Sequence, residues 1–563
     1  MPIHSFRFKT RVLFFLVALC LGHATLWAQS PELPLQELLR RRIEPGGVPA
    51  EMFAGGERLY ASVVLPIFYQ RRDYRPAWIK GDEPSSQVES LLRVIREADR
   101  EGLRPADYHL VDIETVLSEI RQTQEGRKQL KLDRLADLDL LLTDAFLILG
   151  SHLLSGRINP QSIDPQWFVN RREADLAQVL EEALKANQVE MALNGLLPSH
   201  AGYARLRKAL AGYRRIAANG GWPVVPEGAQ LEKGDRNDRV LSLRRRLARE
   251  GFLDDEDGAD ARLFDEALER ALRKFQGKYG LEVDGVLGPQ TAKALNISAD
   301  ERVRQIIVNL ERWRWLPQEL GLRYILVNIA SFNLDVIEKG QLVMDMRVVA
   351  GKPYHRTPVF SGRMTYLVMN PYWNVPARIA RKELLPKVKK DPAFLTKESI
   401  KVLEAWGPHL HEIDPARTDW QAVSPSSFRY QFRQDPGPQN ALGRIKFIFP
   451  NQFDVYLHDT PSKNLFARAR RDFSHGCIRL EKPIELAEYL LKDDPKWPPA
   501  KIRATVTGGV AVEQIVRLSE PVNVHLLYWT VWIGQDDLIH FGPDIYDRDR
   551  ALDAAMQAPP PRA

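Results

Sequence analysis

Cysteine is nearly absent, with two residues in 563, Cys20 and Cys477, so a disulfide framework is excluded. Long apolar runs are scarce too. The one from Val12 to Leu21 follows Arg7, Lys9 and Arg11 and is too short to span a bilayer, which takes about 20 apolar residues. It predicts a secretory signal over residues 1–28, with Leu26-Trp27-Ala28 as the cleavage site and Gln29 as the first mature residue. Leu26 is larger than the residue usual there, so an uncleaved anchor tethering the chain to a membrane is the alternative. Leu19 does not suit lipoprotein processing at Cys20. Charge of one sign is also lacking: 79 basic against 73 acidic residues give a net +6. No basic stripe interleaved with aromatics occurs, which excludes a nucleic-acid partner. The cluster Arg244-Arg245-Arg246 reads as a solvated helix face. No residue set has metal-ligand spacing, and no cofactor is called for.

If Cys20 leaves with the signal, Cys477 stands alone in a compartment where disulfides form. Such a thiol either pairs with another chain or is free and reactive, an inert buried cysteine being the plain alternative.

The length calls for two to four domains. From Pro49 to about Gly220 apolar residues recur at helical spacing, as in Val88, Leu91, Leu92, Ile95 and Leu138, Leu141, Leu142, Phe146, Leu149. This predicts an all-α scaffold domain over 29–225 without catalytic spacing. Gly220-Gly221-Trp222-Pro223 through Gly228 reads as a linker. A compact unit follows over 231–297, with Gly234-Asp235 at its opening, a helix carrying Lys274-Phe275-Gln276, and Asp284-Gly285 and Gly288-Pro289 marking turns before Thr291. These residues resemble the small three-helix peptidoglycan-binding domain, which implies docking on cell wall, or a spacer.

Beyond a helix at Val303 to Arg312 the pattern turns to period two. Tyr324–Ile329, Leu334–Glu338, Met344–Ala350 and Met364–Met369 open a β-rich domain over 298–550. A charged stretch over 376–439, read as helical, interrupts it as a lid insertion. The tail over 551–563 is expected to be disordered. The fold class is thus multidomain α+β.

Arg444–Phe449 and Phe453–His458 read as a hairpin turning at Pro450-Asn451-Gln452, which places Tyr456 and His458 on one face. Cys477 follows nineteen residues after His458. Cys477 and Arg479 alternate onto one face of the returning strand, and Gly476 lets backbone N–H groups approach a reacting carbon. A thiol needs a base to ionise near neutral pH. His458, reaching across the sheet, is preferred over His475, which reads as a supporting residue in the turn.

Tyr456-x-His458-Asp459-Thr460 followed by Ser474-His475-Gly476-Cys477-Ile478-Arg479-Leu480 resembles the signature of the L,D-transpeptidase catalytic domain. Asn370-Pro371-Tyr372-Trp373-Asn374-Val375-Pro376, Pro436 to Gly443, and Tyr528-Trp529-Thr530 are similar to its large Gram-negative branch, although Gln439 stands where an aromatic is expected. The resemblance implies a periplasmic acyltransferase. Cys477 would attack a tetrapeptide stem, expel D-alanine and pass the acyl group to an acceptor stem, giving a 3→3 cross-link. It further implies His458 as general base, the N–H groups of Gly476 and Cys477 as oxyanion donors, Tyr456 nearby, Arg479 ordering the site or meeting a substrate carboxylate, and carbapenem β-lactams as acylating inhibitors. A backbone carbonyl would orient the imidazole, so the Asp459 side chain need not. An L,D-carboxypeptidase using water, an enzyme attaching a lipoprotein to the wall, and an inactive wall-binding protein are the alternatives.

Overall fold

The computed structural model describes residues 32–44, 51–125, 132–168, 171–254, 260–406, 409–508 and 512–560. The expected signal and Cys20 lie outside the described residues.

The scaffold is built around the helix Leu132–Ser155, which is apolar on every side and therefore buried. It has the length and apolarity to cross a membrane, yet neighbouring helices cover it. Its few polar residues tie down loops. Asp139 accepts the backbone N–H groups of Ala77 (3.0 Å) and Trp78 (2.8 Å) and the Tyr69 hydroxyl (2.6 Å), while Asp144 accepts Ala61 N–H at 2.7 Å. These bonds stabilise charge that burial alone would disfavour. Around this helix the amphipathic helix Gln87–Arg96 turns Val88, Leu91, Leu92 and Ile95 inward, as its spacing predicts.

In the next unit the helices Asp238–Arg249, Glu266–Lys278 and Pro289–Leu295 are capped by Asn237, Asp265 and Gly288-Pro289. Gln276 joins its two motifs: Nε2 donates to Asp284 Oδ1 (2.7 Å) and Thr291 Oγ1 (3.2 Å), and Oε1 accepts Gly285 N–H (2.9 Å). Arg244 and Arg246 are buried, contrary to the solvated face expected. Arg244 pairs with Asp265, and Arg246 pairs with Glu250 (2.6 Å) while covering the Trp222 ring at 4.4 Å. Helix ends and an aromatic face supply partners that a charge count does not reveal. The unit also shares its core, since Leu243 and Phe275 cluster with Tyr203 and Leu206 of the scaffold and Val531 and Phe541 of the β-rich domain.

The main sheet of the β-rich domain runs in the order Ile445–Ile448, Leu457–His458, Ile478–Leu480, Gln341–Gly351, Asn333–Glu338, Arg323–Asn328, Gln514–Leu527, Val359–Met369 and Trp167–Phe168, with Val531–Ile533 and Ile539–Phe541 as a separate hairpin. Ile445–Ile448 also pairs with Val359–Met369, so the sheet closes on itself around a core that includes Val327, Val348, Leu367, Phe447, Ile478 and Val524. Trp167–Phe168 comes from the scaffold and pairs in parallel with Val359–Phe360, which binds the two regions through backbone as well as side chains.

Two expectations are corrected. The insertion is not simply helical: Trp373–Asn374, Tyr430–Gln434, Ile400–Trp406 and His409–Ile413 form their own antiparallel sheet. Ile400, Val402, Phe428 and Phe432 pack against Leu384, Val388 and Leu395 in a separate small core, and the β-branched residues among them favour strands. The tail is not disordered over its described length. Arg548–Gln557 is a helix whose Leu552 and Met556, four apart, are buried. Arg104 donates to the carbonyls of Gln557 and Ala558 at 3.1 Å each.

Asp335 lies directly across from Asp345 in the sheet. Burial, then the Asp345 charge, push its carboxyl up to about 6. A folded-state value above the unfolded one means the native chain holds the proton more tightly, so stability is highest below about pH 4 and falls as pH rises toward 6. Asp335→Asn should therefore stabilise the domain by about 2 kcal/mol at neutral pH. Thermal melts at pH 4 and pH 7.5 check this: the gain should vanish at the lower pH.

Candidate active site

Lys446 pairs with His458 and Phe447 with Leu457 in the expected hairpin, but only Leu457–His458 is strand on the returning side. The connection is wider than a turn at Pro450-Asn451-Gln452, because Asn451 organises it. Its Oδ1 accepts the N–H groups of Phe453 (3.0 Å) and Val455 (3.2 Å), and its Nδ2 donates to Val455 O at 2.7 Å. Asp454 adopts φ 53°, and its carbonyl lies 3.8 Å from Cys477 Sγ. Tyr456 and His458 share a face as predicted, their rings 5.6 Å apart.

Leu457–His458 runs parallel to Ile478–Leu480, with His458 opposite Arg479. This register carries Cys477 to Tyr456. The turn before it is braced from within and from behind. Ser474 Oγ donates to Cys477 O (2.5 Å) and accepts Gly476 N–H (3.1 Å), and Gly476 O accepts the Thr357 hydroxyl at 2.8 Å. Tyr546 in turn accepts Thr357 N–H at 3.1 Å and donates to Gly351 O at 2.6 Å. Gly476 has φ 116°, a conformation that a side chain resists. Its N–H, expected to serve as an oxyanion donor, is committed to Ser474. The glycine therefore shapes the turn.

Burial pushes the Cys477 thiol up, opposed by the backbone N–H and hydroxyl of Tyr456 and by the charges of Lys446 and Arg479. Lys446 Nζ sits 3.9 Å over the Tyr456 ring, and Arg479 Nε is buried without a partner. Burial first, then Arg479, drive His458 down to about 3, so the imidazole is neutral throughout the physiological range. Its Nδ1 lies 2.5 Å from Asp459 O. A carbonyl only accepts, so the proton sits on Nδ1 and Nε2 keeps its lone pair. The Asp459 carboxylate is occupied elsewhere, accepting Arg444 N–H (2.8 Å), Thr460 N–H (2.7 Å) and Lys463 Nζ (2.6 Å). No hydrogen bond joins His458 to Cys477 among the described contacts; the sulfur contacts Asp454 O and Tyr456.

His475 turns away from the thiol. Its Nε2 lies 2.8 Å from both carboxylate oxygens of Glu383, in the insertion, and its ring faces His355. Asn370 and Asn440 tie the two stems of that insertion together: Asn370 N–H donates to Arg444 O (2.8 Å) and Asn440 Nδ2 to Pro371 O (3.0 Å). Tyr528-Trp529-Thr530 serve the frame, Trp529 stacking on Trp313 at 4.2 Å and Thr530 donating to Asp549 at 2.7 Å. Sequence reasoning missed Lys446, Thr357 and Tyr546. A lysine inside the apolar run Ile445-Lys446-Phe447-Ile448 was the available signal for the first; the other two carry none.

Family models match three stretches: "Scaffold domain" at 64–210, "Putative peptidoglycan binding domain" at 236–295 and "L,D-transpeptidase catalytic domain" at 322–502. A Haemophilus influenzae protein named "Putative L,D-transpeptidase" is 35% identical over 265 residues, covering 47% of this chain and 51% of that protein. The chain thus spans about half the length of this relative. The Mycobacterium tuberculosis N-acetylmuramoyl-L-alanine amidase CwlM is 41% identical over 80 residues, covering 13% of this chain and 20% of that one. Solved L,D-transpeptidases from Xylanimonas cellulosilytica (16% identity, TM-score 0.15, 54% of this chain and 98% of that one) and Stackebrandtia nassauensis (12%, 0.20, 54% and 96%) align too loosely to carry an argument. The likeness rests on the sequence matches: residues 322–502 match the L,D-transpeptidase catalytic domain, in one chain with stretches that match a scaffold domain and a peptidoglycan-binding domain.

Proposed function

We propose that the protein is exported to the periplasm and cross-links peptidoglycan stem peptides by acyl transfer through Cys477. The observation that carries this reading is the convergence on one sheet face of a lone thiol, a neutral imidazole with a fixed tautomer, and two cations, Lys446 and Arg479, outside any ion pair among the described residues.

In the first half-reaction the sulfur attacks the carbonyl carbon of the third residue of a tetrapeptide donor, and the thiol proton passes to His458 Nε2. The C–N bond to the terminal D-alanine breaks, the proton goes to the leaving amine, and a thioester remains on Cys477. In the second half an acceptor amine attacks the thioester, His458 takes its proton, and the thiolate leaves and is reprotonated. The Cys477 N–H stabilises the oxyanion in both halves. Lys446 and Arg479 lower the cost of the thiolate and attract the carboxylates of the stem peptide. The raised thiol requires a base, which distinguishes this site from one holding a standing thiolate. The three-helix unit 236–295, which matches a peptidoglycan-binding domain, would keep the catalytic domain on the wall, and the insertion, whose Glu383 reaches the nucleophile turn, would control which acceptor enters.

Incubation with a carbapenem followed by intact-protein mass spectrometry tests the reading. One adduct mapping to the peptide that contains Cys477 is expected. Folded protein that takes up none would favour the inactive wall-binding alternative.

A further inference from the structure

His355, Glu383 and His475 come from three separate segments, and one ligand atom of each lies within 4.8 Å of the others. His475 Nε2 is 2.8 Å from both Glu383 oxygens, His355 Nε2 is 3.7 Å from Glu383 Oε1, and the two rings are 4.9 Å apart. The fold is shaped to bring them together. A Cβ at Gly351 would collide with the His355 carbonyl and stand 3.1 Å from Gly476 Cα, so the loop bearing His355 can lie on the nucleophile turn only because position 351 has no side chain. Glu383 belongs to a π-helical turn, Ala380–Leu384, a rare conformation concentrated at functional sites.

An ion pair accounts for His475 and Glu383 but not for His355. At 3.7 Å its Nε2 is beyond hydrogen-bond distance of the carboxylate, and it is turned toward a second imidazole. Burial, then His475 and Arg378, hold the His355 ring toward its neutral form, the one that ligates metal.

We propose that His355, Glu383 and His475 bind a divalent transition ion of the zinc class, which clamps the insertion onto the turn that carries Cys477. Two imidazoles and one carboxylate suit such an ion, and three protein ligands leave a coordination position for water. With metal–ligand bonds of about 2.0–2.1 Å, neighbouring ligand atoms in a tetrahedral site stand about 3.3 Å apart. The His355 contact is already close to this, and the His475–Glu383 hydrogen bond must open by roughly half an ångström as the ion replaces its proton. Because Glu383 lies in the insertion and His475 two residues before the nucleophile, occupancy fixes the position of one against the other.

The test uses the full chain carrying both Cys20→Ala and Cys477→Ala, so that no thiol can serve as ligand and the result does not depend on the proposed acyl transfer. Zn2+ is titrated calorimetrically, and Co2+ binding is followed by visible absorption. A single saturable site is expected, with a cobalt spectrum free of sulfur charge transfer. Adding His355→Ala or Glu383→Gln should each weaken binding by on the order of 100-fold or more, since even partners that only orient ligands matter by about 10–100-fold. The two changes lie in different segments, and melting curves identify a variant that fails to fold. Absence of saturable binding, or binding of unchanged strength in the folded variants, overturns the proposal.

Discussion

Cys477→Ala abolishes carbapenem capture and all turnover of tetrapeptide stems, while the protein keeps its melting temperature to within a few degrees. The expected loss is complete because no other cysteine lies among the described residues. The thiol is also the only soft nucleophile facing Lys446 and Arg479. Its fold cost is small, since Ser474 braces the turn through the Cys477 carbonyl and not through the sulfur. Cys477→Ser is the sharper variant. A serine hydroxyl would need a far stronger base than a neutral imidazole already driven down to about 3, so it too should leave no measurable acylation.

His458→Ala slows acylation by on the order of a hundredfold or more, the usual scale for losing a general base. The physical reason lies in the opposing influences on the sulfur. Burial raises the thiol, and Tyr456, Lys446 and Arg479 only partly offset it, so few molecules hold a thiolate without a proton acceptor. Stopped-flow measurement of carbapenem acylation reads the effect directly. His475→Ala should cost much less, because that ring bonds to Glu383 and not to the nucleophile. Full-rate acylation in His458→Ala would shift the proton acceptor elsewhere, with Tyr456 the group already in contact with the sulfur.

The sequence carried the chemistry further than the architecture. His458, Tyr456 and Cys477 were legible because a period-two strand fixes which side chains share a face, and the motif around Cys477 is specific. The family resemblance implies only that some backbone carbonyl orients the imidazole; that it is the carbonyl of Asp459 comes from the structure. The contact of the Gly476 N–H with the Ser474 hydroxyl depends on how the turn curls, a detail that residue types do not encode. Arg244 and Arg246 misled for a related reason: charge looks solvated unless the carboxylates and carbonyls that meet it are known. The charged insertion reads as helical from Leu384, Val388, Ile400, Leu403 and Trp406, yet Ile400 and Val402 pair with Gln434 and Phe432 across strands that are close only after the chain has doubled back. The docking of Arg548–Gln557 likewise depends on Arg104 and Arg157, hundreds of residues away. Local periodicity is written in the chain, whereas long-range pairing has to be seen.

The central claim is that Cys477 passes an acyl group from one stem peptide to the amine of another. Purified protein incubated with tetrapeptide-rich muropeptides, and the products separated and sequenced by mass spectrometry, tests it most directly. The account predicts 3→3 cross-linked dimers together with released D-alanine, both absent with Cys477→Ala. Tripeptides and D-alanine without any dimer would contradict it and make water the acceptor.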